Sequence, residues 1–244
     1  MIRSLPRRSV LSGLLAVPAA ALLAACSDSG KAEAETPAAQ PVDASKPVDA
    51  AKPATPAVAA PQPAGKVDTA KLLEAGSLPD KVLGKEDAPV TIVEYSSMTC
   101  PHCATFHETT LPALKTKYID SGKVKLVFRE FPFDPRAEAG FMLARCSNDN
   151  YFPMIEVLFK QQRTWATAQD AQAALLNISK LAGFSQESFE ACLTDQKLLE
   201  DVRAVRARGE ELGVDSTPTF FINGNRYPGA LSIDEISAII DPLL

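Results

Sequence analysis

The order of periodic segments along the chain predicts an α/β fold. A strand–helix–strand half and a hairpin–helix half share one sheet, and an all-helical insertion separates them. Three observations carry this. Residues 90–95 form an apolar run that closes shortly before a helical pattern. Val124, Leu126 and Phe128 alternate with Lys123, Lys125 and Arg129, the period of a strand. Thr219-Phe220-Phe221-Ile222 is followed by the turn signal Asn223-Gly224-Asn225 and by Arg226-Tyr227 of a return strand.

The front of the chain reads as export machinery. Arg3, Arg7 and Arg8 precede an apolar stretch over 10–25. That stretch is shorter than the roughly 20 residues that span a bilayer, so 1–25 is expected to be a signal peptide. Leu23-Ala24-Ala25-Cys26 looks like a bacterial lipobox, which makes Cys26 the expected lipid anchor. The alternative is an ordinary cleaved signal with Cys26 a chance residue. Arg7-Arg8 before Val10-Leu11 also resembles a twin-arginine signal, which leaves the export route open. Residues 26–66 are rich in Ala, Pro, Lys and acids, and Pro-Val-Asp-Ala occurs at both 41–44 and 47–50. Such a stretch buries too little surface to offset its ordering entropy. It is expected to be a disordered, semi-stiff tether with a reach on the order of 100 Å.

Residues 67–244 then form one domain. A short helix is expected over 67–75, and Asp87-Ala88-Pro89 punctuates the chain before the first core strand. Helical spacing runs over 101–119 with Phe106, Leu111, Leu114 and Tyr118 on one face. Pro112 is expected to kink or break that helix. Phe131-Pro132-Phe133-Asp134-Pro135 reads as a loop. The insertion, about 134–212, holds helical patterns at 137–147, 154–161, 168–182, 186–193 and 197–212. Trp165 and the phenylalanines of that block read as core. Ser232 caps a last helix through Ile233, Ile236, Ile239 and Ile240.

The chemistry concentrates in Cys100-Pro101-His102-Cys103, at the turn from strand to helix. Two cysteines at this spacing form a dithiol that can close into a disulfide. The first occupies a helix N-terminus, where free backbone N–H groups and the macrodipole favour a thiolate. A thiolate attacks or leaves in disulfide exchange. A C-x-x-C beside a β-α-β pattern points to thioredoxin-like redox chemistry. Of the five cysteines, Cys146 and Cys192 remain. In an exported protein such a pair reads as a structural disulfide, with two buried free cysteines as the alternative. A structural zinc site takes four ligands. With no second C-x-x-C, and His102 and His107 the only histidines, no metal site is predicted. The formal charge of −5 and the lack of a basic stripe exclude nucleic acid as the expected partner.

The chain resembles the DsbA family of exported disulfide oxidoreductases over roughly 80–244. Four features carry the resemblance: the Pro-His pairing between the two cysteines; Glu94, six residues before Cys100; Ser216-Thr217-Pro218-Thr219-Phe220, which matches the family's cis-proline loop; and the helical block between the two halves. The resemblance implies a thioredoxin-like fold with an all-helical insertion. It implies Cys100 as nucleophile, Cys103 as resolving thiol and His102 as stabiliser of the Cys100 thiolate. It further implies Glu94 as a proton-holding group near Cys103, and Thr217 and Pro218 as the backbone that an extended client pairs with. No cofactor beyond the Cys100–Cys103 disulfide is expected. The expected function is donation of that disulfide to newly exported, cysteine-containing proteins in the periplasm. Reoxidation would come from a quinone-linked membrane partner of the DsbB kind. A monomer is expected, touching the membrane through its lipid alone. Two other readings compete: a disulfide reductase or isomerase, and a lipid-anchored metal-binding assembly factor that uses the dithiol for capture.

Overall fold

The structure is a computed structural model and describes residues 58–244. The signal expected over 1–25, the anchor at Cys26 and most of the tether lie outside those residues. The last part of the expected tether lies inside them and is corrected. Gly65–Lys66 forms a strand, β1, antiparallel to Asn225 and Arg226. Ala64 N–H donates to the Arg226 carbonyl and Val67 N–H to the Gly224 carbonyl, both at 2.8 Å. An edge strand offers open backbone groups, and a short segment can pair with them whatever its hydropathy. The same pinning shortens the first helix, α1, to Thr69–Leu72 instead of 67–75. Val67 is held by the hairpin, and Asp68 caps the helix by accepting from Lys71 N–H.

Strands β2 (Lys81–Leu83), β3 (Val90–Ser96), β4 (Val124–Glu130), β5 (Thr219–Ile222) and β6 (Asn225–Pro228) complete one sheet in the order β1-β6-β5-β3-β4-β2. Only β3 and β4 run parallel; the other pairings are antiparallel. The three-residue β2 is too short to show alternation and was not expected. Every residue of β3 is buried, as befits a strand covered on both faces. Asn223 and Gly224 take φ of 45° and 85° in the β5–β6 turn, the left-handed backbone that Asn-Gly tolerates.

The helix after β3, α2, runs over 101–119. Pro112 does not break it. The helix widens into π-turns at Phe106–Thr110 and Lys115–Ile119, on either side of the α-turn Leu111–Leu114 that holds the proline. Proline has no N–H for the preceding turn, and wider turns absorb the loss. Hydroxyls of Thr105, Thr109 and Thr116 donate to the carbonyls of Pro101, Thr105 and Pro112 at 3.0, 2.7 and 3.1 Å. Phe106, Leu114 and Tyr118 of α2 pack with Ile92, Phe220 and Ile222 of the sheet and with Ile236 and Ile240.

The insertion is all helical: α3 (Pro135–Cys146), α4 (Tyr151–Lys160), α5 (Gln162–Trp165), α6 (Ala171–Leu181), α7 (Gln186–Thr194) and α8 (Gln196–Glu211). Its core joins Phe141, Leu158, Trp165, Phe189 and Val202 to Met98 and Cys103. The insertion therefore closes over the buried active-site cysteine. Trp165 is fully buried, and its indole N–H donates to the Leu158 carbonyl at 2.8 Å. Helix α8 lies so close to the sheet that a Cβ on Gly209 would stand 2.8 Å from the Tyr95 ring. The chain then returns through β5 and β6 to α9 (Ile233–Ile240), which starts with a capping box between Ser232 and Glu235.

Cys146, at the end of α3, is disulfide-bonded to Cys192 on α7, with a Cα–Cα separation of 6.2 Å. The bridge closes a span of 46 residues, for which chain entropy gives about 4 kcal/mol. Replacing both cysteines with alanine is expected to lower the unfolding free energy by roughly 2–4 kcal/mol in urea denaturation. A loss within error would show that the bridge adds nothing to the insertion.

Candidate active site

Cys100 stands at the N-cap of α2 in extended backbone, with Pro101 at the first helical position. Proline fits there because its missing N–H would go unused. The turn that delivers Cys100 is held from several sides. Cys100 N–H donates to the Ser97 carbonyl at 3.1 Å. Thr99 Oγ1 donates to Asp134 Oδ2 at 2.5 Å, while Asp134 Oδ1 accepts from Arg136 and Ala137 N–H at the start of α3. Buried Gln162, on α5, donates through Nε2 to the carbonyls of Met98 (2.8 Å) and Cys100 (3.0 Å). Nothing in the residue pattern singles out Gln162, one polar residue in a helical block.

The two sulfurs differ sharply, and both are free thiols. Cys100 is half-buried and its thiol is brought down to about 5. The largest cause is the hydrogen bond from the Cys103 thiol; burial opposes it; the Thr217 side chain and the backbone N–H groups of Cys103 and His102 add to it. Cys103 has no exposure, and burial pushes its thiol up, with the neighbouring Cys100 adding to the rise. When protonated, Cys100 Sγ donates to the Thr217 carbonyl at 3.2 Å.

The peptide bond from Thr217 to Pro218 is cis. It leads into β5, and the Pro218 carbonyl accepts from Gly229 N–H at 2.8 Å. Topology explains why a loop more than a hundred residues away meets Cys100: β5 lies directly beside β3 in the sheet.

The sequence singled out His102 as the thiolate's stabiliser. The structure places it on the exposed first turn, acting on Cys100 through its backbone N–H. Glu94 sits inside β3, opposite Phe128 and Phe220, with no exposure. Its Oε1 lies 2.9 Å from His107 Nε2, and its Oε2 has no partner among the described residues. The negative charge of Glu94 contributes to the rise of Cys103. The residue pattern alone assigns His107 no role; its place four residues after Cys103 puts it on the same helix face. Among the described residues, no group of three or more His, Cys, Asp or Glu is arranged to hold a metal ion.

Comparisons with known proteins agree with this geometry. A thioredoxin family model matches residues 77–242. A Rickettsia bellii protein, provisionally named a protein-disulfide oxidoreductase, is 39% identical over 168 residues, 66% of this chain and 63% of its own. A Bacillus anthracis protein, provisionally named disulfide bond formation protein D, is 36% identical over 150 residues, 59% of this chain and 69% of its own. The crystal structure of Wolbachia pipientis alpha-DsbA1 superposes with a TM-score of 0.65 at 32% identity, covering 71% of this chain and 94% of that one. The chain spans about three fifths of the length of the curated rickettsial relatives it matches.

Proposed function

This chain belongs to the DsbA family of thioredoxin-like disulfide oxidoreductases, and from that premise we propose that it donates its Cys100–Cys103 disulfide to exported proteins. The asymmetry of the two sulfurs carries the reading. A client thiolate attacks Cys100, the exposed member of the pair. The Cys100–Cys103 bond breaks, and Cys103 takes the electron pair and then a proton. The client's second thiolate attacks the client sulfur of the mixed disulfide and displaces Cys100 as a thiolate. Anything that stabilises that leaving thiolate favours the reduced protein, and so makes the disulfide a stronger oxidant. The Cys103 thiol, the Thr217 side chain and the helix N-terminus all act in this direction.

The supporting residues take roles to match. Thr217 and cis-Pro218 offer the backbone edge beside Cys100 on which an extended client can pair. Pro101 and His102 shape the first turn and leave its N–H groups facing the sulfur. Glu94 holds a proton for Cys103. The protein uses no cofactor beyond its own disulfide, and the reduced form is reset by a quinone-linked membrane partner of the DsbB kind. The domain acts in the periplasm as a monomer, exported by 1–25, anchored at lipidated Cys26, and carried on the stretch that follows it.

Equilibration in glutathione buffers at pH 7 tests the reading. The expected potential is less negative than about −200 mV, above the glutathione poise. A value near the roughly −270 mV of thioredoxin would make the protein a reductase instead.

A further inference from the structure

His107 has no part in the exchange described above, yet it is one of the best-fixed side chains near the site. Its Nε2 is 2.9 Å from Glu94 Oε1, and the two side chains are 5% and 0% exposed. Three aromatic rings hold the imidazole in place. Phe159 lies 4.4 Å away between centroids, Phe128 meets it edge-on at 5.3 Å, and Phe106 at 5.6 Å. His107 also lines a cleft of about 320 Å³ bordered by Leu111, Lys115, Phe152 and Glu156. The same residue thus bonds the buried carboxylate and borders a cleft.

The exchange chemistry leaves a proton to be accounted for. Cys103 leaves as a thiolate in a site that burial makes hostile to charge. Glu94 has one oxygen bonded to His107 and one unpaired. It is fully buried, so it needs a route for exchanging protons with water.

We propose that His107 is that route: it relays a proton between the cleft and Glu94, and through Glu94 to and from Cys103 Sγ. The inference rests on the disulfide-exchange reading and makes His107 a positioning residue, since it acts through Glu94. The step balances. As the client thiolate bonds to Cys100 Sγ, the S–S electron pair goes to Cys103 Sγ, which takes the Glu94 proton. Glu94 regains a proton from the imidazolium across the Nε2–Oε1 bond. The imidazole then takes one from water in the cleft, which matches the proton the client thiol released to solvent. Reoxidation runs the same transfers backwards. Other ionisable groups belong to the elements packed here. Lys115 of α2 and Glu156 of α4 line the same cleft. Cys103 lies on α2 four residues before His107, and on α4 the Tyr151 hydroxyl is committed to Glu130 Oε1 at 2.8 Å. Glu94, from β3, is the one bonded to the ring.

The test is His107→Gln, whose amide can keep the hydrogen bond to Glu94 but cannot relay a proton. A mixed disulfide between Cys100 and thionitrobenzoate is prepared on each protein. Its resolution by Cys103 is followed by absorbance across pH 5–9. The variant is expected to resolve it at least about 10-fold more slowly, the low end of general acid–base effects or below, and to lose an inflection in the pH profile. Its Tm and the pH dependence of Cys100 alkylation are expected to match the parent. Parent-like rates with an unchanged profile would overturn the relay. Failure of the underlying reading looks different, because the parent itself would then resolve the mixed disulfide without oxidising any client.

Discussion

Cys100→Ser is expected to bring oxidation of a reduced test protein down to the rate without enzyme. Cys100 Sγ is the more exposed sulfur of the pair, is brought down to about 5, and lies 3.2 Å from the Thr217 carbonyl. Serine keeps the shape and the hydrogen bonding but offers no sulfur for a client to attack. Cys103→Ser behaves differently. It too gives no oxidation of the reduced client, but Cys100 can still exchange with a disulfide already present in a partner, and that mixed disulfide accumulates because the buried thiol that would release the partner is gone. The check is disulfide formation in the client by thiol counting, alongside trapping of the adducts on a non-reducing gel. Client oxidation by the Cys100 variant at a substantial fraction of the parent rate would place the reaction elsewhere in the molecule.

The second large effect concerns pH. Between about pH 5 and 8 the midpoint potential of the dithiol is expected to fall by about 30 mV per pH unit, and by about 59 mV per unit below 5. The reason is proton counting. Above about 5 the reduced protein carries Cys100 as thiolate and Cys103 as thiol, so two electrons bring one proton; below it they bring two. The stability consequence has a definite sign. The folded Cys100 ionises at about 5 against 9.0 for a free thiol. Its contribution to the reduced fold is therefore fully present above about 9, and it is lost as pH falls through about 5. The oxidised protein has no thiol there to titrate, so the stability gap between the two forms widens as pH rises across that window. Redox titration against glutathione over pH 4–8, with iodoacetamide alkylation of Cys100, measures both. A uniform slope of about 59 mV per unit would mean that Cys100 ionises like free cysteine.

Much of this molecule is legible before any coordinates. Alternation in β4, the Asn-Gly turn and the amphipathic last helix announce themselves because local pattern and tertiary role agree there. The C-x-x-C at a strand-to-helix turn and the Ser-Thr-Pro-Thr loop carry the reactive sulfurs and the cis bond in contiguous residues. What the pattern hides is of two kinds. Short pairings such as β1 and β2 draw on neighbours rather than on their own composition, and Pro112 is accommodated by a local change of helix type that no periodicity encodes. Long-range polar contacts are the second kind. Glu94–His107 and Gln162 to the Cys100 carbonyl each join residues whose meeting depends on the whole topology.

Gln162 has a meaning for anyone wishing to shrink or transplant this site. Its single amide clasps both ends of the segment Met98–Cys100 from a helix that belongs to the insertion. The reactive turn is therefore shared property: the sheet-forming half of the fold supplies its sulfurs, and the helical insertion keeps its backbone still. Four residues copied onto a bare thioredoxin scaffold would carry the letters of the motif and leave its brace behind.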